Sequence, residues 1–157
     1  MKEQLLNKRY GKNFQEHILE QYKLYVQTAE NVSTRRDSAN NYFVSINAIL
    51  FTISGYLSFK NHELWTILIA VVGILISFVW YTTIQSYKNL NSGKFKVIHE
   101  LEKYLPANLF AYEWEYLGKG STEKYKKLTV VEKNIPRIFC FLYLVVIVFT
   151  IFSIYLR

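Results

Sequence analysis

"YFVSINAILFTISGYLSFKNHELWTILIAVVGILISFVWYTTI", residues Tyr42 to Ile84, decides the fold of this chain. Its first 18 residues, Tyr42–Phe59, carry no charge, and neither do the 21 from Leu64 to Ile84. Only "KNHE" stands between the two runs. A helix needs roughly 20 apolar residues to cross ~30 Å of hydrocarbon, so both runs qualify as spans. Their closeness predicts a tight helical hairpin across a bilayer. A third run, Ile138–Leu156, adds 19 uncharged residues. The first span is the weakest, because it contains Ser45, Asn47, Thr52, Ser54 and Ser58.

The whole chain has 157 residues, enough for one domain, and is 51% hydrophobic and 17% aromatic. The three uncharged runs, more than that average, place it among membrane proteins. Residues 1–41 are polar, and the first apolar run starts too late for the core of a signal peptide. The single cysteine, Cys140, lies inside an apolar run and reads as a small buried hydrophobe.

Sidedness of charge gives an expected orientation. Residues 1–41 carry seven Lys/Arg, including Arg35 and Arg36, and residues 85–137 carry ten, including Lys88 and Arg137. The opposite side has Lys60 and Arg157 alone. Seventeen against two predicts that the N-terminus and the 85–137 region are cytoplasmic and that the C-terminus lies outside. Trp65, Trp80, Tyr81 and Tyr155 stand near span ends, where aromatic belts form. The same two polar regions hold eleven of the twelve acids, so the net charge of +7 fits solvated faces and topology signals better than a nucleic-acid groove. Basic residues at the membrane, Arg35, Arg36, Lys88 and Arg137, can attract anionic headgroups by ~1 kcal/mol each.

Upstream of the first span, Phe14–Phe59 contains no proline and reads as one helix. It would be ~70 Å long, more than a bilayer's thickness. Asn13 followed by Glu16 resembles a capping box at its start. Ile18, Tyr22, Tyr25, Ala29, Val32, Arg36, Ala39 and Phe43 recur at alternating steps of four and three, a heptad seam. That seam needs a partner: either the chain's own 85–137 segment or another subunit. Arg36 on the seam calls for a carboxylate. A second stripe, Ser33, Asp37, Asn40, Val44, Asn47, Phe51, Ser54 and Ser58, carries polarity into the bilayer. Lipid cannot satisfy an asparagine amide, so this stripe must meet another helix or line a polar conduit. In span two, Gly73 and Ser77 form a small-xxx-small pair suited to close helix contact.

The 85–137 segment is patterned as a helical cytoplasmic insert. Phe95, Ile98, Leu101 and Leu105 share a helical face that Pro106 should end. "NLFAYEWEYL" is ambiguous between helix and strand, Gly118 and Gly120 make a turn, and Ser121 can cap a last helix ending near Asn134. Pro136 then opens span three. Chemistry is not legible here. "HELE", His99–Glu102, lacks the second histidine of a zinc pair, and "GKGST" lacks the upstream glycine of a phosphate loop. Glu100, Glu102, Glu113 and Glu115 offer only the pairs any acidic helix offers.

"RRDSANNYFVSINAIL", "YKNLNSGKFKVIHELEKYLP" with "YEWEYL" downstream, and "VEKNIPRIF" before the last span resemble the RipA family of octameric bacterial membrane proteins. The resemblance covers roughly residues 15–156. It implies a cytoplasmic-membrane protein assembled from eight subunits and brings no catalytic residues.

The expectation is therefore an all-α integral membrane protein of one domain. A long helix over 14–59 includes span one, span two covers 64–84, the helical insert 85–137 and span three 138–156. Tyr22, Tyr25, Ala29, Arg36, Asn40, Asn47, Gly73 and Ser77 are candidates for oligomer or interhelical packing. Self and membrane lipid are the expected partners, with no metal, cofactor, nucleic acid or catalytic activity. A scaffold or regulatory assembly is the leading function, and an oligomeric channel-type effector in stress or antiphage signalling is the alternative.

Overall fold

The computed structural model describes residues 5–6, 10–121 and 125–156. Lys2, Lys8, Arg9, Lys124 and Arg157, counted above for orientation, lie outside them. The described chain is all-helical, with three helices long and apolar enough to cross a membrane. α1 spans Phe14–Phe59 without a break, and α2 spans Glu63–Glu102. α3 is Leu109–Tyr116, α4 is the short Leu128–Glu132, and α5 is Asn134–Tyr155.

The hairpin joining α1 to α2 is built on Asn61. Its φ is 56°, left-handed, a conformation asparagine tolerates better than most residues. The His62 amide then bonds the Leu57 carbonyl at 3.0 Å and the Asn61 amide bonds that of Ser58 at 3.1 Å, a Schellman closure. The His62 carbonyl starts the next helix by accepting the Thr66 amide.

Four cross-links show the register of this antiparallel pair: Tyr22 with Glu102, Thr28 with Lys94, Asn40 with Trp80 and Asn47 with Ser77. Each step along α1 is matched by a similar step back along α2. α2 does not pause where its apolar run ends. The helix expected around Phe95–Leu105 is the far end of span two, so the hairpin runs ~60 Å, about twice the hydrocarbon thickness. α2 lies between α1 and α5, which touch each other over a shorter stretch.

Several local expectations are corrected. Asn13 makes no side-chain cap at the start of α1. α2 stops at Glu102, before Pro106. "NLFAYEWEYL" is helical, as α3. Gly118, Lys119 and Gly120 all take positive φ in a tight turn. Ser121 is extended, and α4 is a single turn beginning at Leu128. The helix expected there partly falls on residues 122–124, outside the described ones. Pro136 sits in the first turn of α5, where a missing N–H costs nothing.

Candidate functional site: the polar spine between the helices

One face of α1 carries the interior. The interior face follows the seam Ile18, Tyr22, Tyr25, Ala29, Val32, Arg36, Ala39 and Phe43, then shifts by one position to Asn47, Phe51, Ser54 and Ser58 of the second stripe. Ile18, Ala29, Val32, Arg36, Asn47 and Ser54 are buried along it. The interior thus passes from one stripe read from the sequence to the other. Asp37 and Val44, assigned to the polar stripe, are exposed instead.

Within the membrane region the spine is organised by Asn47, which is fully buried. Its amide Nδ2 donates to the Phe43 carbonyl at 2.8 Å, and its Oδ1 accepts from the Ser77 hydroxyl at 3.0 Å. Its backbone carbonyl accepts the Tyr143 hydroxyl of α5 at 2.9 Å. One residue therefore ties three spans. Gly73 makes room for this: a Cβ there would meet the Tyr143 ring at 2.2 Å. The small pair of span two receives the Tyr143 ring at Gly73 and the Asn47 amide at Ser77.

One layer towards α4, Asn40 Oδ1 accepts from Trp80 Nε1 at 2.9 Å, while the Trp80 ring stacks on Phe43 with centroids 5.8 Å apart. Trp80 is fully buried, so it is an interior residue and not a belt aromatic. Its indole N–H has a partner, as a buried tryptophan requires. Trp65 and Tyr155 are exposed at the other end.

Arg36 reaches α4, where its guanidinium pairs with Glu132 and donates to the Thr129 hydroxyl at 3.0 Å. Both ion-pair side chains are about nine-tenths buried. The carboxylate that Arg36 calls for is supplied from within the chain, and Arg36, expected also to reach headgroups, is buried instead. Around this pair Tyr81 carries two cations on its ring, Lys133 and Arg137, each 5.3 Å from the centroid. Arg35 and Lys88 are exposed.

At the far end, Glu102 is fully buried and acts as a remote cap. Its two oxygens accept the Phe110 and Ala111 amides at 2.8 and 3.0 Å, at the N-terminus of α3. A carboxylate there satisfies orphan donors and complements the helix dipole. The Tyr22 hydroxyl donates to the same carboxylate at 3.2 Å. Burial first, then the Glu102 charge and that hydrogen bond, push the Tyr22 hydroxyl up to about 12. Between these ends, Lys94 lies 4.7 Å over the Tyr25 ring and donates to Thr28 at 2.9 Å.

The candidate packing residues thus all touch protein inside the subunit: Tyr22, Tyr25, Ala29, Arg36, Asn40, Asn47, Gly73 and Ser77. Sequence reasoning missed Glu102, Glu132 and Tyr143. Glu132, buried next to a basic residue and before a span, was the one with a signal, since Arg36 required an acid. Among the described residues the remaining acids of the insert do not converge. Glu100 pairs with Lys103 and Glu115 with Lys119, both on the surface. Among the described residues no group of three or more metal-ligating side chains comes together.

A family model matches residues 19–152, from the first turns of α1 to the last turn of α5. The chain belongs to the octameric membrane protein family (8xMP). Searches of curated proteins and of solved structures return no match. Membership of the octameric family supports self-association, and with the three apolar helices it supports location in a membrane.

Proposed function

We propose that this protein is a homo-oligomeric scaffold or regulatory assembly of a bacterial cytoplasmic membrane, of the RipA type, working without catalysis. Its N-terminus and the 85–137 region face the cytoplasm, and its C-terminus lies outside. Membrane lipid is its surroundings, anionic headgroups meet Arg35 and Lys88, and Arg137 serves as a topology signal. The observation that carries this reading is the use made of the buried polar side chains. Asn47, Asn40, Arg36 and Glu102 each hold one helix to another. A hairpin ~60 Å long, pinned at every level, suits a rigid post that presents a cytoplasmic layer beneath a membrane assembly. Native mass spectrometry of the protein released from membranes should give an octameric mass. A monomer at every concentration would refute the reading.

A channel-type effector is the second reading. It is favoured by a separate set of polar residues, exposed on α1 from Thr34 to Thr52. It cannot use Asn47, whose amide is enclosed by Phe43, Ser77 and Tyr143. Ion flux in liposomes decides it: flux abolished by Thr52→Leu supports a conduit, and no flux from the wild type opposes one.

A further inference from the structure

One line on the exposed side of α1, bordered by the exposed Tyr42, Ile49 and Tyr56, differs from every exposed face of α2 and α5 in the membrane region. Ser38, Asn41, Ser45, Ala48, Thr52 and Gly55 recur at steps of three and four, and all are exposed. None is larger than asparagine. The same line extends back through Thr34 to Leu24, also exposed, without meeting a charge. By contrast, α2 exposes Leu68, Val72 and Leu75, and α5 exposes Phe141, Val145 and Phe152, as lipid-facing helices do.

The hydroxyls on this line are turned inward to their own helix. Ser38, Ser45 and Thr52 donate to the carbonyls of Thr34, Asn41 and Ala48 at 3.0, 2.9 and 2.9 Å. What remains is a smooth strip of small atoms. Space beside Gly55 is open. Small residues let helix backbones approach closely in a membrane, where dispersion and not hydrophobicity drives association.

Charge supplies the second argument. Asp37 flanks the strip, is exposed, and has no ion-pair partner among the described residues. Lys133 and Arg137 crowd one tyrosine ring, and neither meets a carboxylate among the described residues. The two sets lie at similar depth. Asp37 is one turn from Asn40, which bonds Trp80, and Arg137 bonds the adjacent Tyr81 at 3.4 Å. Copies inserted the same way round cannot share a two-fold axis lying in the membrane plane, so a closed ring of eight is cyclic about the membrane normal. Such a ring keeps every residue at its depth and sets one face of a subunit against a different face of the next.

We infer that the small-residue strip of α1 is the surface on which a second copy of this chain docks, with Asp37 facing the Lys133–Arg137 pair of that copy. The inference rests on the oligomeric reading above. Its occupant is protein, and neither lipid nor water covers the strip in the assembly.

The test is disulfide cross-linking of the full chain in native membranes, with Cys140 replaced by serine. The double variant Asp37→Cys/Arg137→Cys should give dimers and higher rungs on oxidation, and neither single variant should. The pair Asp37→Cys/Val148→Cys, with one partner on the lipid face of α5, should give none. As a second measurement, Asp37→Arg should dissociate the particle and Asp37→Arg/Arg137→Asp should restore it. If the wild type sizes as an octamer but neither ladder nor charge dependence is seen, the docking surface is wrong and the oligomer stands. Labelling of Thr52→Cys by a water-soluble thiol reagent in that octamer also overturns it, in favour of a water-lined strip. If the wild type sizes as a monomer, the oligomeric reading itself fails.

Discussion

The Ser77 hydroxyl donates to the Asn47 amide oxygen at 3.0 Å, at the point where Tyr143 also bonds the Asn47 carbonyl. Hydrogen bonds between membrane helices contribute ~0.6 kcal/mol on average, so this contact alone is modest. Its neighbour Gly73 is more demanding, because an added Cβ meets the Tyr143 ring. Overpacking a core costs about 1–3 kcal/mol. Ser77→Ala should therefore lower thermal stability slightly in detergent, and Gly73→Ala by clearly more. Equal shifts would show that close packing at Gly73 is not what holds the three spans.

Arg36 and Glu132 make the deepest ionic contact between α1 and α4. Removing one partner of a buried pair leaves an uncompensated charge and costs about 3–5 kcal/mol, whereas replacing both by apolar residues can be neutral. Glu132→Leu and Arg36→Met should each destabilise strongly, and Arg36→Met/Glu132→Leu should recover most of the loss. A thermodynamic cycle by reversible thermal unfolding checks this. Additive losses in the double variant would mean that the pair does not act as a unit.

Tyr22 gives α3 a pH dependence. Its hydroxyl, ordinarily near 10.0, is pushed up to about 12 by burial and by Glu102. The folded state thus favours the neutral phenol. That stabilisation is complete below pH ~10 and is lost as pH rises through about 12. Protection of the Phe110 and Ala111 amides, taken relative to base-catalysed intrinsic exchange, should fall across this window in the wild type. In Tyr22→Phe that protection should already be lower at pH 7, with no further fall between pH ~10 and ~12.

Glu102→Gln tests the cap itself. The amide keeps the shape but loses the charge that complements the helix N-terminus, an effect of ~0.3–1 kcal/mol at exposed ends and up to ~2 kcal/mol when partly buried. Protection at Phe110 and Ala111 should fall while that at Asn47 is unchanged. Loss at both places would make Glu102 a determinant of the whole hairpin and not of α3 alone.

Much of this architecture is written in the local pattern. Uncharged runs of 18 to 21 residues separated by "KNHE" read as a helical hairpin, because a helix satisfies its own backbone in lipid and needs about this length to cross. The seam through Ala29 and Arg36 is likewise periodic and visible. The continuity of α2 past Ile84 was hidden, because the sequence there changes polarity and not helical propensity. The fate of Asp37 and Val44 was misread, since the two stripes run one position apart and the interior changes from the first to the second between Phe43 and Asn47. Only the position of α2 chooses between them. Trp80 looked like a belt residue because sequence shows nearness to a span end and not which way the ring turns. Glu102 was illegible as a buried group, because its role depends on how the chain folds back beyond Pro106 and on Tyr22, 80 residues away. Glu132 was signalled only by the acid that Arg36 requires, 96 residues away.

The central claim is that α1 works on two sides, one building the subunit and the other joining subunits. Native mass spectrometry of Ala48→Leu/Thr52→Leu, with helicity followed by circular dichroism, tests it most directly. The octamer should disappear while a monomer of unchanged helical content remains. An octamer as abundant as in the wild type would contradict it.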